Sequence, residues 1–163
     1  MWRMRLGELW VASGLMGSEQ LDQALAYQAF HGGQVGQAAL ALGLLTPEQL
    51  LVSLASQLQR PFVRRGGLER VPEKLLRCVP ARVLARLRVC PLRVEWREEG
   101  RGTLVVATSE PDNLGLLEEL SLATGCDVKP VLALSEDLEH VLCRHGLAPA
   151  RAPRLASLEP LAL

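Results

Sequence analysis

The sequence of 163 residues is poor in aromatic side chains and has no excess of charge of either sign. Eighteen Lys and Arg residues balance eighteen Asp and Glu residues, so no net field attracts nucleic acid or an anionic membrane. No apolar run approaches the roughly 18 residues that a membrane-spanning helix needs. The first fifteen residues contain Arg3, Arg5 and Glu8 and therefore do not resemble a secretory signal. We predict neither export nor direct membrane insertion.

Cysteine and histidine are few, and their spacing is not that of metal ligands or a disulfide framework. Cys78, Cys90, Cys126 and Cys143 form no C-x-x-C pair, and the three histidines form no H-E-x-x-H motif. This pattern favours a reducing cytoplasm and no metal site. Cys143 and His145 are close in sequence, but such a pair alone rarely makes a nucleophile and its base. The P-loop motif G-x-x-x-x-G-K-[ST] is also absent, which excludes ATP hydrolysis by a P-loop.

The sequence does contain an internal repeat. Residues 5–28, RLGELWVASGLMGSEQLDQALAYQ, align without a gap with residues 34–57, QVGQAALALGLLTPEQLLVSLASQ. Ten positions are identical where chance gives about two, so we infer a duplication. Gly32 and Gly33 in the five-residue spacer predict a chain reversal between the copies.

Each copy of the repeat predicts two short helices. The first helix is expected to end near Ser13 or Leu42, where the following glycine can adopt a left-handed conformation. The second is expected to begin at Ser18 or Thr46 as the N-cap. Core packing explains most of the recurring leucines, whereas for the closing glutamines both a helix-end cap and a ligand contact stay open. These recurring positions share a helix face: Leu21, Leu25 and Gln28, and then Leu50, Leu54 and Gln57.

Beyond residue 59 the pattern becomes α+β. A brief strand is predicted at 61–63, proline-led helical turns at 71–76 and 79–84, strands at 88–96, 103–108 and 127–132, and helices at 112–124 and 135–144. We therefore predict an α+β fold in three parts. These are an all-α region of four helices at 1–59, an α-β-β-α-β-α region with a three-stranded antiparallel or mixed sheet at 60–146, and a flexible tail or linker at 147–163.

Basic residues are concentrated at the start of the second region. Residues 60–101 carry twelve of the eighteen Lys and Arg residues against five acidic ones. Aromatic side chains for base stacking are scarce there, and no nucleic-acid-binding motif is present. We predict a solvated basic face and no nucleic-acid partner.

The repeat closely resembles a duplicated 24-residue motif, R-L-G-x-x-L/V-V-x-x-G-L-x-x-x-x-L-x-x-x-L-x-x-Q with a five-residue spacer. That motif belongs to the MshE-type N-terminal domain of type II secretion and type IV pilus assembly ATPases. The resemblance continues through R-P-F-V, T-L-V-V-A-T-S-E-P-D-N and S-E-D-L-E, and covers most of residues 5–146. It implies a bacterial regulatory module that is not an enzyme, binds cyclic di-GMP in an extended conformation and needs no cofactor. The implied partner is a secretion or pilus ATPase or an inner-membrane platform protein.

The resemblance also implies the residues of the site. The arginine can bind a phosphate or a guanine edge, the glutamines can meet purine edges, and the leucines can cover the bases. Arg3 and Glu110 are additional candidates. The positions that match the motif are Arg5, Leu6, Gly7, Leu21, Leu25 and Gln28 in the first copy, and Gln34, Val35, Gly36, Leu50, Leu54 and Gln57 in the second.

Three positions depart from the family pattern. Gln34 replaces a basic residue, Val35 replaces a leucine, and Glu110 replaces the usual aspartate before proline. Because the first change removes a charge from the expected site, an assembly adaptor that does not bind the nucleotide is the alternative function. The motor domains of the family are not among the 163 residues, so we expect either a stand-alone regulatory protein or an excised domain.

Overall fold

The computed structural model describes residues 5–147, and its architecture is α+β as predicted. Four helices form the repeat region, residues 5–59: α1 (Leu6–Ala12), α2 (Ser18–His31), α3 (Val35–Ala41) and α4 (Pro47–Leu58). The sheet region, residues 60–147, begins with three short helices: α5 (Arg65–Glu69), α6 (Glu73–Leu76) and α7 (Ala81–Leu87). It continues with β1 (Cys90–Glu95), β2 (Thr103–Thr108), α8 (Leu114–Thr124), β3 (Asp127–Leu132) and α9 (Ser135–Arg144).

The two copies of the repeat end their first helix in the same way. Gly14 and Gly43 have φ angles of 78° and 70°, in the left-handed region that glycine adopts without steric cost. This conformation turns the chain so that the Leu15 N–H donates a 2.9 Å hydrogen bond to the carbonyl of Trp10. The second copy repeats this bond at the same length. The predicted stop at each glycine is confirmed.

The start of the second helix differs from the prediction in the first copy. Its N-cap is Gly17 rather than Ser18, whereas Thr46 is the N-cap in the second copy as predicted. The Thr46 hydroxyl accepts a hydrogen bond from the Gln49 N–H at 3.2 Å. In both copies the same glutamine accepts a hydrogen bond from the N-cap N–H, Gln20 at 2.9 Å and Gln49 at 3.0 Å. The alignment of the copies, which pairs Gly17 with Thr46, locates the cap better than side-chain preference does.

The sheet is mixed, with strand order β1-β2-β3. Strand β1 is antiparallel and β3 is parallel to the central β2. All six residues of β2 are buried, and because successive side chains point to opposite faces, both faces of that strand are covered. The strand predicted at 61–63 is reduced to a single parallel bridge between Phe62 and Leu132. This bridge lies at the end of β3 and joins the sheet to the segment that follows α4.

Most element boundaries beyond residue 59 agree with the predictions. Strands β2 and β3 and helix α9 have the predicted bounds, and β1 is shorter at both ends. Helix α8 begins two residues late because the side chain of Asn113 accepts a hydrogen bond from the Leu116 N–H at 3.2 Å and caps the helix. The sequence does not predict α5, since RGGLE contains two glycines, which are poor helix formers.

Buried side chains form two clusters. The larger one lies among β1, β2 and helices α5 to α9 and contains Leu84, Val89, Leu104 and Leu120. The second cluster combines side chains of helices α1, α3 and α4 with Leu132, the last residue of β3, and Leu134, two residues further along the chain. The end of β3 therefore completes the core of the repeat region. The predicted division into units at residue 59 stays a prediction, and the tail after Leu147 lies outside the described residues.

Gly7 and Gly36 allow the two helices of each copy to approach closely. A Cβ atom on Gly7 would lie 2.7 Å from Leu21 Cδ1, and one on Gly36 would lie 2.9 Å from Leu50 Cδ1. The leucine at the same position in each copy therefore occupies the space that a larger side chain would need.

We expect Gly36→Val to lower the free energy of unfolding by about 1–3 kcal/mol, because Leu50 is 4% exposed and cannot move aside without repacking its surroundings. Urea denaturation followed by circular dichroism measures the change. In the double variant Gly36→Val/Leu50→Ala the clash is removed, so the combined loss should be smaller than the sum of the single losses. Strict additivity would contradict this contact.

Candidate ligand-binding site

A cavity of about 390 Å³ lies where the two copies of the repeat meet the end of β3. From the repeat region it is lined by the first turn of α1, the end of α2, the start of α3 and two leucines of α4. From the sheet region it is lined by the loop after β2 and the segment from the end of β3 to the start of α9. Its volume lies toward the lower end of the roughly 300–1,000 Å³ that small-molecule sites occupy.

Seven of the fourteen residues that the sequence predicts for the site line this cavity. The first copy contributes the second and the last residue of its motif, whereas the second copy contributes most of its predicted positions. The cavity therefore lies mainly at the second copy. These lining residues are Leu6 and Gln28 from the first copy and Gln34, Val35, Gly36, Leu50 and Leu54 from the second.

The spacer between the copies brings Gln28 and Gln34 to the same wall. Gly32 and Gly33 have φ angles of 75° and 83° and reverse the chain, as predicted. The side-chain amide of Gln28 donates a 3.0 Å hydrogen bond to the carbonyl of Gly33. Gln28 therefore holds the turn of the spacer and also lines the cavity, so this bond does not decide between a helix-end cap and a ligand contact.

The other predicted residues lie elsewhere. Arg5 is the exposed N-cap of α1, immediately before Leu6, and its backbone N–H donates to the Glu8 carboxylate at 3.2 Å. Leu25 is 45% exposed, although its counterpart Leu54 lines the cavity. Arg3 lies outside the described residues. The predicted residues that the structure describes but that are not part of the cavity wall are Arg5, Gly7, Leu21, Leu25, Gln57 and Glu110.

Glu110 belongs to a hydrogen-bonded loop next to the cavity. Its N–H donates to the Thr108 hydroxyl at 3.0 Å, and its carboxylate accepts from the Asn113 amide at 3.3 Å. The preceding residue, Ser109, lines the cavity. The loop that the family resemblance marks is thus at the site, but Ser109 rather than Glu110 lines the wall.

The sequence does not identify the remaining lining residues. Gln37 and Leu40 are near Gly36 on α3, and helical periodicity, Gly36 to Leu40 in particular, is a signal that could find them. No local signal connects residues of the sheet region with the repeat. The lining residues from that region are Ser109, Leu132, Ala133, Leu134, Ser135 and Glu136.

The wall combines apolar side chains with neutral polar groups and one carboxylate, that of Glu136. Within the described chain no Lys or Arg lines the cavity, and the polar groups from the repeat region are the amides of Gln28, Gln34 and Gln37. A second cavity of about 360 Å³ adjoins the first along α3. The two cavities share Gln37, Leu40, Ser135 and Glu136, so the concave surface is longer than either cavity alone.

Many of the basic residues at 60–101 are paired with acidic side chains. In the part of the chain that the structure describes, seven of these twelve Lys and Arg residues pair with a carboxylate. One pair joins the two regions: Arg64 Nε lies 2.6 Å from a carboxylate oxygen of Glu48. Arg60 pairs with Asp112, again across a long sequence separation, at 2.9 Å. Five of the seven partner carboxylates lie outside residues 60–101 and so offset part of the local positive excess.

The environments of the cysteine, histidine and acidic side chains bear on thiol and metal chemistry. Burial raises the pKa of the Cys90 thiol to about 11, so it is almost fully protonated at neutral pH. Cys143 and His145 are both exposed at the end of α9. Among residues 5–147 no group of three or more His, Cys, Asp or Glu side chains is arranged to hold a metal ion. No helix in that range is long and apolar enough to cross a membrane.

The fold and the site define a small α+β module in which a tandem helix-pair repeat and the end of a sheet enclose a ligand-sized cavity. The sequence profile of the MshEN domain matches residues 45–152. This chain belongs to the MshEN domain family.

Two solved structures and two curated relatives agree with this assignment. The structure of MshE with cdg has a TM-score of 0.66 and 32% sequence identity, covering 87% of this chain and 99% of that chain. The N-terminal domain of XpsE, at 18% identity and a TM-score of 0.51, covers 88% of this chain and 98% of that chain and shows the fold alone. The type IV pilus assembly ATPases PilB of Myxococcus xanthus and Thermus thermophilus are each 26% identical over 141 residues, 86% of this chain. The chain spans 24% and 15% of their lengths.

Proposed function

We propose that this chain is a cyclic di-GMP-binding regulatory module and not an enzyme. The observation that carries the proposal is the cavity, because it gathers residues of both repeat motifs at one place. The likeness to MshE, solved with cdg, which we take as cyclic di-GMP, supports the choice of ligand.

The composition of the wall suits one purine nucleoside half of such a ligand. Leu54 offers apolar surface for the face of a base, and the amide of Gln28 offers a hydrogen-bonding group for its edge. The phosphates then lie toward the mouth, where a cation is needed. Arg5 adjoins Leu6 in the chain and is exposed, so its guanidinium can reach a phosphate from the rim.

The proposed setting is the bacterial cytoplasm, and the proposed partner is a secretion or pilus assembly ATPase. The PilB relatives, which are type IV pilus assembly ATPases, support this choice over an inner-membrane platform protein. In this proposal ligand binding to the module regulates the assembly machine.

Isothermal titration calorimetry of the protein with cyclic di-GMP tests the proposal. We expect a dissociation constant in the micromolar range or tighter, with GMP as the control for the isolated nucleotide. No heat at high protein concentration would remove the receptor function and leave the assembly adaptor.

Restoring the missing cation should strengthen binding. Gln34 is the exposed N-cap of α3 and lines the cavity at the position where the family motif has a basic residue. We expect Gln34→Arg to tighten binding by about 1 kcal/mol at low ionic strength, and added salt should reduce the gain. The control is Gln23→Arg, which adds the same charge on an exposed position of α2 outside the cavity wall. Equal affinities for Gln34→Arg and the unmodified protein would show that position 34 does not face the phosphates.

A further inference from the structure

Glu136 is the one charged side chain among the described residues that line the cavity. It lies in the first turn of α9, two residues after Leu134, and it is exposed. The acidic neighbour Asp137 is instead buried and paired with Arg65 at 2.8 Å. Of these two adjacent carboxylates, that of Asp137 forms an internal ion pair, whereas that of Glu136 lies in the wall of the cavity.

The position of Glu136 makes it common to both parts of the concave surface. It lines the 390 Å³ cavity and also the adjoining 360 Å³ cavity along α3. A ligand that occupies either cavity therefore meets this carboxylate. On the opposite wall, Leu40 is likewise common to both cavities and supplies apolar surface.

A carboxylate in a ligand site selects its neighbour by charge and by hydrogen bonding. It repels a phosphate, so phosphate binding at this wall is disfavoured. It accepts hydrogen bonds and donates none, so it matches a group that presents two adjacent N–H donors. The Watson–Crick edge of guanine presents N1–H and the N2 amino group side by side. Adenine presents an acceptor nitrogen at N1, which repels a carboxylate oxygen.

Resting on the proposed function, we propose that Glu136 is a specificity-determining residue that reads the Watson–Crick edge of one guanine of the ligand. The opposite charges of the two side chains give them different roles. Glu136 binds the base at the cavity wall, and Arg5 binds a phosphate at the rim of the cavity. Replacing the carboxylate should therefore change which base is accepted, whereas replacing the arginine should weaken all cyclic dinucleotides alike.

Calorimetric titration of three ligands, cyclic di-GMP, cyclic di-AMP and the inosine analogue that lacks the N2 amino group, tests this assignment. We expect the unmodified protein to bind cyclic di-GMP most tightly. In Glu136→Gln the isosteric amide keeps one acceptor, loses the charge and gains a donor, so affinity for cyclic di-GMP should fall about tenfold to hundredfold. Affinity for cyclic di-AMP should rise, because the amide can accept from the adenine N6 amino group and donate to adenine N1. Glu118→Gln, the same substitution on the exposed face of α8, is the matched control and should leave both affinities unchanged.

The outcomes separate this inference from the function on which it rests. If the unmodified protein binds none of the three ligands, both fail. If it binds cyclic di-GMP and Glu136→Gln binds it equally well, the receptor function stands and the role of Glu136 is overturned. If Glu136→Gln binds all three ligands more tightly, the carboxylate faces a phosphate, which also overturns the inference. Thermal unfolding of each variant by circular dichroism verifies that the loss is not one of folding.

Discussion

Trp10→Ala is expected to lower the free energy of unfolding by about 3–5 kcal/mol, the range found when a large buried aromatic side chain is removed. Trp10 is 0% exposed and belongs to the cluster that joins the repeat helices to Leu132 and Leu134. Its loss leaves a cavity among side chains from both regions of the chain. Urea denaturation followed by far-ultraviolet circular dichroism measures the change.

Two further variants test whether the loss of stability depends on the burial of the Trp10 side chain. Trp96 is 80% exposed in the loop after β1, so Trp96→Ala should change the free energy of unfolding by no more than about 0.5 kcal/mol. Trp10→Phe keeps most of the ring volume and removes an indole N–H that has no hydrogen-bond partner among the described residues. It should therefore cost much less than Trp10→Ala. Equal losses for the exposed and the buried tryptophan would contradict the packing of Trp10 in this cluster.

Arg5→Ala is expected to weaken cyclic di-GMP binding by about 1.5–3 kcal/mol, the scale of a lost charge-assisted contact together with the phosphate left without a partner. No Lys or Arg lines the cavity within residues 5–147, so the site has no cation in its wall to compensate. Arg5 is exposed at the start of α1, and the fold should survive the change. Calorimetric titration measures the difference in affinity.

The control for this prediction is a second arginine. Arg82 is exposed on α7, outside the cavity wall, and Arg82→Ala should leave affinity unchanged. Arg5→Lys keeps the charge but loses the planar fork of donors, so it should lie between the unmodified protein and Arg5→Ala. Near-native binding by a folded Arg5→Ala variant would place the phosphate contact elsewhere.

The repeat positions show which features of the fold can be predicted from the sequence. The duplication correctly predicts two helix pairs, because capping, glycine stops and the spacing of the leucines are local properties. It does not predict how the copies share a core. Trp10 aligns with Ala39, and both are 0% exposed in the same cluster, so a large side chain in one copy is accompanied by a small one in the other. Such complementarity depends on which surfaces meet in three dimensions.

The candidate site likewise has a part that the sequence predicts and a part that only the folded chain shows. The repeat indicates Gln28 and Leu54, which recur as Gln57 and Leu25, and the family resemblance adds Gln34; all three line the cavity. The motif treats the copies as equals, but Leu25 is largely exposed while its counterpart Leu54 lines the cavity. The repeat pattern by itself does not predict which of two equivalent leucines lines the cavity.

Short-range capping, periodicity and duplication allow the α+β class, the helix pairs and the repeat positions at the candidate site to be predicted from the sequence. That Leu132, Ser135 and Glu136 line the same cavity is visible only in the folded chain. The parallel bridge between Phe62 and Leu132 brings the end of β3 to the repeat region. That pairing joins residues 70 positions apart, and no local pattern in the sequence encodes it, because it depends on how the sheet and the helices bury their apolar surfaces against each other.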